Sequence, residues 1–479
     1  MKNTVEMRDD DEADEEKEYL ERISTMAEAA WDNNKVINIV DKRNEKEDQS
    51  KPWYVGKYED SMKFIEGILA RHLIETEKIF YCGGKFYRYE DGVFNEKNNE
   101  EILQVIKNHC LDDLLKKNHL TNVLQEWKVD ITIKPEELNN EPYILNLKNG
   151  LLDIRTMEIT EHYCNYISTI QLNVNYNLEL DIKDAVLFNQ YLDKCIPDAE
   201  TRLQAQEMLG YTYLGICPEK FFILTGETNT GKSTLLDIME FIIGEKNKSN
   251  IPLQKLDENF KSVHLFNKLI NICADLPQSA LKDVGNLKML TGGDWIYAEH
   301  KGVDGFSFKN KAKLIFSCNQ LPLNEAEQSE AFYNRLILLL FPHRIANSNI
   351  NPNFKTDLLK EVDYIFLWGL EGLQRLLKNN FQFTESENSV ALKSKYKKES
   401  DPIQLFLEYN CEYNKSDSDG IEGKDLYELY SDWCKSLGYK AKDASVLGHA
   451  ITRTYGDIKS QKRIEGKRKN IYEGLKHIE

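Results

Sequence analysis

The segment Phe221–Gly244 constrains the fold more than any other, because it joins a strand, a glycine-rich loop and a helix in fixed order. Phe221–Thr225 is a run of apolar and β-favouring residues that predicts a buried strand. Gly226–Ser233 then fits the GxxxxGK[ST] pattern of a phosphate-binding loop. A helix that ends at Gly244 is predicted next, with an apolar face of Leu235, Leu236, Met239 and Ile243. This order predicts an α/β core that binds a nucleotide.

Phosphate binding explains why the loop needs these residue types. Glycines let backbone N–H groups converge on phosphate oxygens, and the helix N-terminus adds the positive end of its dipole. Lys232 is predicted to neutralise the β- and γ-phosphates of ATP, and Ser233 to bind Mg²⁺. The alternative, a glycine-rich turn that matches by chance, is disfavoured by the strand and helix around it. The predicted nucleotide-binding residues are Gly226, Glu227, Thr228, Asn229, Thr230, Gly231, Lys232, Ser233 and Thr234.

Composition limits the partners and the compartment of this chain of 479 residues. Its 62 Lys and Arg against 79 Asp and Glu give a net charge of −17, so any DNA contact has to come from local basic patches. The nine cysteines form no CxxC pair and no Cys/His cluster, which favours reduced thiols over a zinc site. The start does not read as a signal peptide, and no apolar run approaches the roughly 18 residues of a membrane span. We therefore expect a cytoplasmic protein without a membrane partner.

Two regions precede the loop. Residues 1–50 hold sixteen acids and eight bases, a net charge of −8, which predicts a mostly disordered arm that solubilises the chain or contacts a partner. Helical spacing follows at Ser61–Thr76 and Asn99–Leu115, and hairpin patterns occur at Ile79–Val93 and Tyr143–Thr160. No acids in this second region form a catalytic constellation. We interpret it as a scaffold that makes subunit contacts.

Two later strands are predicted to bring polar side chains to the phosphate loop. Leu269–Cys273 is an apolar run that leads to Asp275, an acid that could hold Mg²⁺ or polarise water. We expect this strand to lie beside the phosphate-loop strand. Lys313–Cys318 is another buried strand, and it ends at Asn319, whose amide could hold the attacking water. A lone Asp after an apolar run is weak support, but the phosphate loop strengthens the assignment.

Two further patterns suggest contacts outside the nucleotide. Trp295–His300 and Phe306–Lys309 could pair as a hairpin that presents His300 and Lys301 near its tip, or that is only a solvated surface hairpin. Arg335 stands just before a fully apolar strand. Its guanidinium could reach the γ-phosphate bound to an adjacent subunit, the role of an arginine finger, or form a salt bridge with a neighbouring acid.

The segment after Asn353 is predicted to be helical before it reaches a linker. Asn353–Asn379 carries an apolar stripe at helical spacing, which indicates core or lid packing. Thr384 with Glu387 fits a capping box for a further helix. The basic run Lys393–Ser400 precedes an Asp-Pro pair, and this composition predicts a linker.

The last part of the chain is locally basic. Lys435–Glu479 holds eleven bases and five acids, a charge of +6. Predicted helices at Leu426–Leu437 and Ala444–Tyr455, followed by a hairpin at Lys459–Gly474, have the order of a winged helix, whose second helix enters a major groove. A solvated basic face is the alternative. The residues predicted to meet DNA phosphates are Lys462, Arg463, Lys467, Arg468 and Lys469.

Several motifs in combination resemble a known family. The order GETNTGKST, ICAD, LKMLTGGD, KLIFSCNQLP and NRLILLLFP is similar to that of superfamily-three helicases, especially the helicase part of phage and plasmid primase-helicases and their poxvirus relatives. NGLLDIRTMEI and EMLGYTYLG resemble the family's segment upstream of the ATPase. The resemblance extends from about Tyr143 to the C-terminus, and the C-terminal segment is also similar to the family's C-terminal domain.

The resemblance implies an AAA+ ATPase that assembles as a ring, a hexamer in the family, and translocates on single-stranded DNA in the cytoplasm of a bacterial host. By resemblance, Lys232 binds phosphate, Ser233 and Asp275 hold Mg²⁺, and Asn319 is the polar sensor. Arg335 acts across the subunit interface, and the hairpin with His300 and Lys301 grips DNA in the pore. The family often has a glutamate or a pair of acids where this chain has Asp275, so the general base is not assigned. The family's primase domain is not recognised here, so primer synthesis is not expected, although a separate primase could be a partner.

Together these patterns predict an α/β fold with an AAA+ P-loop ATPase core, a mixed α/β N-terminal domain and a C-terminal winged-helix domain. The expected function is an ATP-dependent replicative DNA helicase of a phage, plasmid or genomic island. An origin-binding initiator or helicase loader that melts DNA only locally is the alternative, and a small-molecule kinase is disfavoured by the Asn319 strand and the basic tail. The predicted regions are an acidic arm (1–52), a scaffold and oligomerisation domain (53–200), the helicase domain (201–348), a helical lid and linker (349–400) and the winged helix (401–479).

Overall fold

Antiparallel sheets and helices precede the central sheet in the structure, which is a computed structural model. The described residues are 51–55, 63–111, 115–256, 258, 261–277, 281, 283–299, 305–324, 329–345, 353–464 and 467–478. The N-terminal elements are β1 (Tyr54–Val55), β2 (Lys63–Phe64), α1 (Glu66–Thr76), β3 (Ile79–Cys82), β4 (Lys85–Glu90), β5 (Val93–Lys97), α2 (Asn99–Asn108), α3 (Lys117–Asp130), β6 (Ile144–Leu147), β7 (Gly150–Asp153) and β8 (Glu158–Thr160). The acidic arm predicted for residues 1–52 lies almost entirely outside the described residues.

Both predicted N-terminal hairpins are present, and each has a third strand. Strands β3, β4 and β5 form one antiparallel sheet, and β6, β7 and β8 form another. Gly150 has a φ of 151° at the β6–β7 turn, where a Cβ atom would lie 2.4 Å from the carbonyl oxygen of Thr160. The predicted helices are shorter than expected at their ends. Helix α1 begins at Glu66 rather than Ser61, because Lys63–Phe64 is extended. Helix α2 begins at Asn99 as predicted, after Asn98, which forms a capping box with Glu101, and it ends at Asn108 rather than Leu115.

The central part of the chain contains the predicted phosphate-loop strand and helix. Its elements are α4 (Val186–Cys195), α5 (Ala199–Tyr211), β9 (Phe221–Thr225), α6 (Lys232–Ile243), β10 (Lys248–Ser249), β11 (Ile270–Cys273), α7 (Gly285–Leu290), β12 (Trp295–Ala298), β13 (Phe306–Lys309), β14 (Lys313–Cys318), α8 (Glu330–Arg335), β15 (Leu336–Leu340), α9 (Phe354–Leu358), α10 (Val362–Lys378) and α11 (Glu387–Glu399). Strands β12 and β13 pair as the predicted hairpin.

A five-stranded parallel sheet forms the centre of this part, with the strand order β10, β11, β14, β9, β15. The prediction that the strand leading to Asp275 lies beside the phosphate-loop strand is wrong, because β14 lies between β11 and β9. All six residues of β14 are buried, as a central strand with helices on both faces requires. Strand β11 ends in the partly exposed Cys273. This lower burial agrees with the position of β11 as the second strand from one side of the sheet.

Helix α10 packs against α5 at glycines. A Cβ atom on Gly372 would lie 2.4 Å from the carbonyl oxygen of Gln206, and one on Gly210 would lie 2.1 Å from that of Gly369. The apolar stripe predicted over Asn353–Asn379 therefore serves core packing, although a 3₁₀ turn at Leu359–Glu361 interrupts the helix. Helix α10 is amphipathic, and within the described ranges no helix is long and apolar enough to cross a membrane.

Two local predictions before the C-terminal part are wrong. The residue that caps α11 is Ser386, which accepts a hydrogen bond from the N–H of Ser389. Thr384 instead donates its N–H and hydroxyl to the buried carboxylate of Glu207, at 2.7 and 2.8 Å. Lys393–Ser400, where a linker was expected, is helical as far as Glu399, because the hydroxyl groups of Ser389 and Tyr396 hold this helix on the core at 2.7 and 2.8 Å.

The C-terminal part has the predicted order of helices and hairpin. Its elements are α12 (Pro402–Asn410), β16 (Cys411–Tyr413), β17 (Gly420–Glu422), α13 (Gly423–Leu437), α14 (Ala444–Tyr455), β18 (Lys459–Ile464), β19 (Lys467–Glu473) and β20 (Leu475–His477). Helices α12, α13 and α14 share one apolar core with Tyr472 and Leu475. The internal contacts of Val55–Glu479 join all these elements into one compact unit, and the domain boundaries predicted within it remain predictions.

The close approach of α5 and α10 can be tested by adding one methyl group. We expect Gly372→Ala to lower the free energy of unfolding by about 1–3 kcal/mol, because the methyl group would push two helix backbones apart. Urea denaturation followed by circular dichroism would measure this change. Gly215→Ala is the matched control, since its Cβ atom would meet nothing closer than 4.0 Å. Equal stability of the two variants would contradict the described helix contact.

Candidate functional site

The loop after β9 has a backbone that requires glycine at two positions. Gly226 and Gly231 have φ values of 154° and 98°, which L-residues rarely adopt. A Cβ atom on Gly226 would lie 2.3 Å from the carbonyl oxygen of Phe341, and one on Gly231 would lie 2.5 Å from the Sγ atom of Cys195. The loop therefore packs tightly against Phe341 and Cys195, and its backbone conformation depends on these two glycines.

The ammonium group of Lys232 lies inside the loop. It donates to the carbonyl oxygens of Gly226 and Glu227 at 2.6 and 2.7 Å, and to the Oδ1 atom of Asn319 at 3.2 Å. Lys232 is only 6% exposed. Burial lowers its pKa, and the carboxylate of Asp275 opposes this shift. A buried cation held by several acceptors provides a positive centre at the point where a phosphate would bind.

The N-terminus of α6 faces the same place. The helix begins at Lys232 after Gly231, which supplies no side-chain cap, so the first-turn N–H groups have no capping oxygen. The side chain of Ser233 is exposed and that of Thr234 half-buried. Uncapped N–H groups and the positive end of a helix dipole suit an anion, and these residues therefore fit the phosphates of a nucleotide.

Asn319 links the loop to strand β14. Besides accepting from Lys232, it donates from Nδ2 to the Oγ1 atom of Thr228 at 3.4 Å. Strands β14 and β9 end level with each other, because Cys318 pairs with Thr225. Ligands of open α/β sheets bind at the carboxyl ends of the strands, which is where the structure brings Lys232 and Asn319 together. Their predicted roles in hydrolysis remain predictions.

Asp275 lies at the same edge of the sheet, two residues beyond the end of β11. Its φ of 56° is in the left-handed region, which is uncommon for residues other than glycine, and its N–H donates to the Oγ atom of Ser317 on β14 at 3.4 Å. The side chain is exposed. Carboxylate and hydroxyl oxygens are the ligands that Mg²⁺ prefers, so Asp275 and Ser233 provide a suitable set of donor groups at this edge.

Arg335 lies at the opposite edge of the sheet. It ends α8 and precedes Leu336, which pairs with Phe221 at the start of β9. Strand β9 has five residues, from Phe221 at the level of Leu336 to Thr225 at the start of the loop. The distance along the sheet between these two levels is therefore roughly 13 Å. Within the described part of the chain, the guanidinium donates to the carbonyl oxygen of Ala331 at 2.9 Å and makes no ion pair. The structure therefore does not bring Arg335 to the predicted nucleotide-binding loop of its own chain.

The hairpin of β12 and β13 has one buried and one exposed face. Ile296 and Ala298 point into the core, while Trp295 and Tyr297 are exposed. His300 and Lys301, predicted near the tip, lie outside the described residues. The structure therefore positions the arms of the hairpin without describing its tip.

The basic hairpin of β18 and β19 has two distinct faces. Lys462 lies opposite Lys469, Arg463 opposite Arg468 and Ile464 opposite Lys467. Because successive residues of a strand alternate between faces, the three lysines share one face and the two arginines share the other. Lys462 and Lys469 contact Glu473 and Glu422, at 3.2 and 2.6 Å.

The arginine face of this hairpin lies on the side of α14. Tyr472 pairs with Lys459 and belongs to the arginine face. Its hydroxyl lies close to Gly448 of α14, where an added Cβ atom would be 2.9 Å away. Arg463 and Arg468 are both exposed. The two arginines thus belong to the hairpin face whose Tyr472 packs against α14.

The sequence analysis did not predict the buried residues that pack against the loop and bond to it. The hydroxyl of Tyr191 donates to the carbonyl oxygen of Gly231 at 2.9 Å, and burial raises the Tyr191 pKa well above its usual value. Burial also raises the pKa of the Cys318 thiol to about 11, so this group stays uncharged beside Lys232. Tyr191 lies 40 positions from Gly231, and its place in an apolar helix face carries no signal of this contact.

Three known families match successive parts of the chain. Residues 33–197 match the family described as D5 N terminal like, residues 224–335 match a family of unknown function (DUF5906), and residues 398–479 match the family described as Poxvirus D5 protein-like. The second match contains the phosphate loop, Asp275 and Asn319, and the third contains the basic hairpin.

Individual relatives are viral. A protein of Acanthamoeba polyphaga mimivirus, named "Putative helicase L207/L206", is 24% identical over 401 residues, which cover 78% of this chain and 41% of the relative. The DNA Primase-polymerase of Nitratiruptor phage NrS-1 is 26% identical over 162 residues, which cover 33% of this chain and 20% of the relative. The chain thus spans less than half the length of the curated relatives that it matches. Families and relatives together support a relationship to phage and viral primase-helicases.

The fold also has a solved counterpart. The apo structure of the NrS-1 C-terminal region aligns with a TM-score of 0.51 and 17% identity, and the alignment covers 85% of this chain and 98% of that one. At this identity the likeness concerns the fold alone. It agrees with a mixed α/β architecture around a parallel five-stranded sheet.

Proposed function

We propose that this chain is an ATP-driven DNA helicase that acts in replication of a virus, phage, plasmid or genomic island. The observation that carries the proposal is the position of Lys232, whose ammonium group contacts both the phosphate loop and Asn319. The mimivirus relative named as a helicase and the families described as D5-like support the replication context. Primer synthesis is not part of the proposal.

The nucleotide would bind across residues 226–234, where N–H groups and Lys232 meet its phosphates. Ser233 and Asp275 would hold Mg²⁺, which would neutralise charge on the β- and γ-phosphates. Asn319 would orient the attacking water, since its amide also contacts Lys232 and Thr228. These residues all follow the carboxyl ends of strands of the sheet. ATP would therefore be bound and hydrolysed at one pre-organised site.

Completion of the site would require a second copy of the chain. Arg335 is at the far edge of the sheet from the loop, and a guanidinium presented there can reach the γ-phosphate of a neighbouring subunit only in a head-to-tail assembly. Head-to-tail interfaces close into rings when the rotation between subunits allows it. We therefore propose a ring that belongs to the AAA+ class and superfamily three, with six subunits as the family resemblance implies.

DNA would meet the ring at two places. His300 and Lys301, by resemblance, would contact the translocating single strand in the pore. The C-terminal helices and basic hairpin would bind a duplex as a winged helix, with α14 in a major groove and the hairpin arginines and lysines on phosphates. Positive charge at these places would offset the repulsion expected from a net charge of −17.

An initiator or helicase loader is the second candidate, because the same site could use ATP for assembly and local melting alone. The basic hairpin on the side of α14 favours this reading as much as the first. Strand displacement on forked DNA separates the two functions. Sustained ATP-dependent unwinding supports the helicase, whereas duplex binding without unwinding supports the initiator.

The role of Lys232 gives the most direct prediction. We expect Lys232→Ala to abolish ATP hydrolysis and strand displacement, because the loop would lose its buried cation. Phosphate release with and without forked DNA would measure the effect. Lys183→Ala, a change of a lysine whose side chain is 86% exposed, is the control and should behave as the wild type. Wild-type turnover in Lys232→Ala would refute the nucleotide site.

The role of Arg335 can be tested by mixing subunits. We expect Arg335→Ala to lose roughly 10³- to 10⁵-fold in hydrolysis while nucleotide binding persists. In a random mixture with Lys232→Ala subunits, about a quarter of the head-to-tail interfaces would regain both groups, so activity should partly return. Lys183→Ala, with its exposed side chain, is again the control and should keep the wild-type activity. An intact ring without rescue would contradict action across the interface.

The two faces of the basic hairpin make different predictions for duplex DNA. We expect the double change Arg463→Ala and Arg468→Ala to weaken duplex binding more than Lys462→Ala with Lys469→Ala, because the arginines are on the side of α14. Each lost phosphate contact should reduce the salt slope of binding by about 1. Fluorescence anisotropy over a salt series would measure both variants, which lose equal charge. Equal weakening would contradict a preferred arginine face.

A further inference from the structure

The hairpin of β12 and β13 exposes two large aromatic side chains on one face. Trp295 is 52% exposed and Tyr297 is 64% exposed, while Ile296 and Ala298 between and beside them are buried. The alternation is that of a half-buried strand. Its outer positions, however, carry aromatic rings where short polar residues would suffice for a surface strand. A paired exposed aromatic surface of this kind marks a binding site more often than a single exposed residue does.

Cross-strand neighbours place one cation on this face, whereas Glu258 and Glu299 line a recess beside the same two rings. Lys309 lies directly opposite Trp295, and Ser307 lies opposite Tyr297. The Nζ atom of Lys309 is 5.3 Å from the centroid of the Trp295 ring, within the range of a cation–π contact. We define Trp295, Tyr297, Ser307 and Lys309 as the aromatic face of the hairpin.

Neighbouring residues hold both rings in place. The Tyr297 ring extends over Gly305, where an added Cβ atom would lie 2.1 Å from the Tyr297 hydroxyl oxygen. A recess of about 260 Å³ opens beside Trp295, and its lining includes Phe266, Phe308 and Lys309. The indole therefore borders a space whose lining combines apolar rings with the cations Lys309 and Lys311 and the carboxylate of Glu136.

We propose that the aromatic face is a stacking platform for the bases of single-stranded DNA, in addition to the hairpin tip. This inference rests on the proposed function, which brings a single strand to this hairpin. Side chains at positions i and i+2 of a strand are about 6.7 Å apart, twice the spacing of about 3.4 Å between successive nucleotides of a strand. The two rings can thus take one base between them or two bases upon them, and Lys309 is placed to meet the adjoining phosphate.

The chemistry of the face favours a nucleic acid strand over a second protein. Stacking accepts every base, because each base has a π-face, and a lysine next to a ring serves the backbone between stacked bases. A translocating protein needs this tolerance of sequence. A contact with another subunit would use the same rings, so the experiment has to separate the two occupants.

Oligonucleotides with and without bases test the platform directly. The probes are a fluorescein-labelled dT oligonucleotide and an abasic oligonucleotide of the same length, and anisotropy measures the Kd of each for the full chain. We expect the wild type to bind dT roughly tenfold or more tightly than the abasic strand, as stacking implies. The double change Trp295→Ala and Tyr297→Ala should bring this ratio close to one and leave the abasic Kd unchanged. Trp295→Phe with Tyr297→Phe should retain most of the ratio.

Tyr163→Ala is the matched control, because Tyr163 is 55% exposed and belongs to neither strand of the hairpin. It should keep the wild-type ratio. A ratio that survives the double Ala change would overturn the platform, and so would an equal loss for both probes. Sedimentation of the variant with Trp295→Ala and Tyr297→Ala tests whether the rings contact another subunit. Loss of assembly with an unchanged ratio of the two Kd values would assign the face to a subunit contact instead.

Failure of this inference can be told from failure of the proposed function. If the wild type prefers dT and the preference depends on the two rings, but no ATP-dependent strand displacement occurs, the platform stands and the helicase does not. If unwinding occurs without any preference for bases, the helicase stands and the platform is wrong.

Discussion

The hydrogen bonds of the buried Lys232 ammonium group are the interactions on which the proposed nucleotide site depends. Its hydrogen bonds to Gly226, Glu227 and Asn319 join the loop, the helix that begins at Lys232 and the strand β14 into one unit. A cation at low exposure is costly unless several acceptors surround it, so the loop has to close around this group. The glycines permit that closure, and Tyr191 and Phe341 support the loop from below.

The direction of the parallel strands determines at which end of the sheet each candidate side chain lies. The loop, Asp275 and Asn319 follow the carboxyl ends of β9, β11 and β14, whereas Arg335 precedes the amino end of β15. In a parallel sheet these ends are at opposite edges, so one chain does not bring Arg335 and the loop together at one site. The proposal of a ring follows from this geometry together with the family resemblance.

The proposed DNA contacts share a different design. Both are antiparallel hairpins that extend from packed cores, β12 with β13 and β18 with β19. A hairpin pairs its backbone groups internally and leaves alternate side chains to solvent, so it can present rings or charges without loss of core packing. In a chain with a net charge of −17, such local presentation is how an acidic protein could approach a polyanion.

The sequence by itself determined the elements whose signals are local. Glycine spacing predicted the loop and its helix, alternation predicted the hairpins, and the amphipathic patterns predicted α13 and α14, all of which the structure contains. Only the tertiary structure decided which strands are neighbours. β14 lies between β9 and β11 because its fully buried residues need the centre of the sheet, and this order is not encoded in any one segment. Distant partners likewise decided the cap at Ser386 and the helix over Lys393–Glu399. Thr384 donates to the carboxylate of Glu207, 177 positions away, and so does not cap the helix itself. Local spacing controls hydrogen bonds along the chain, whereas contacts between remote residues depend on how the whole core packs.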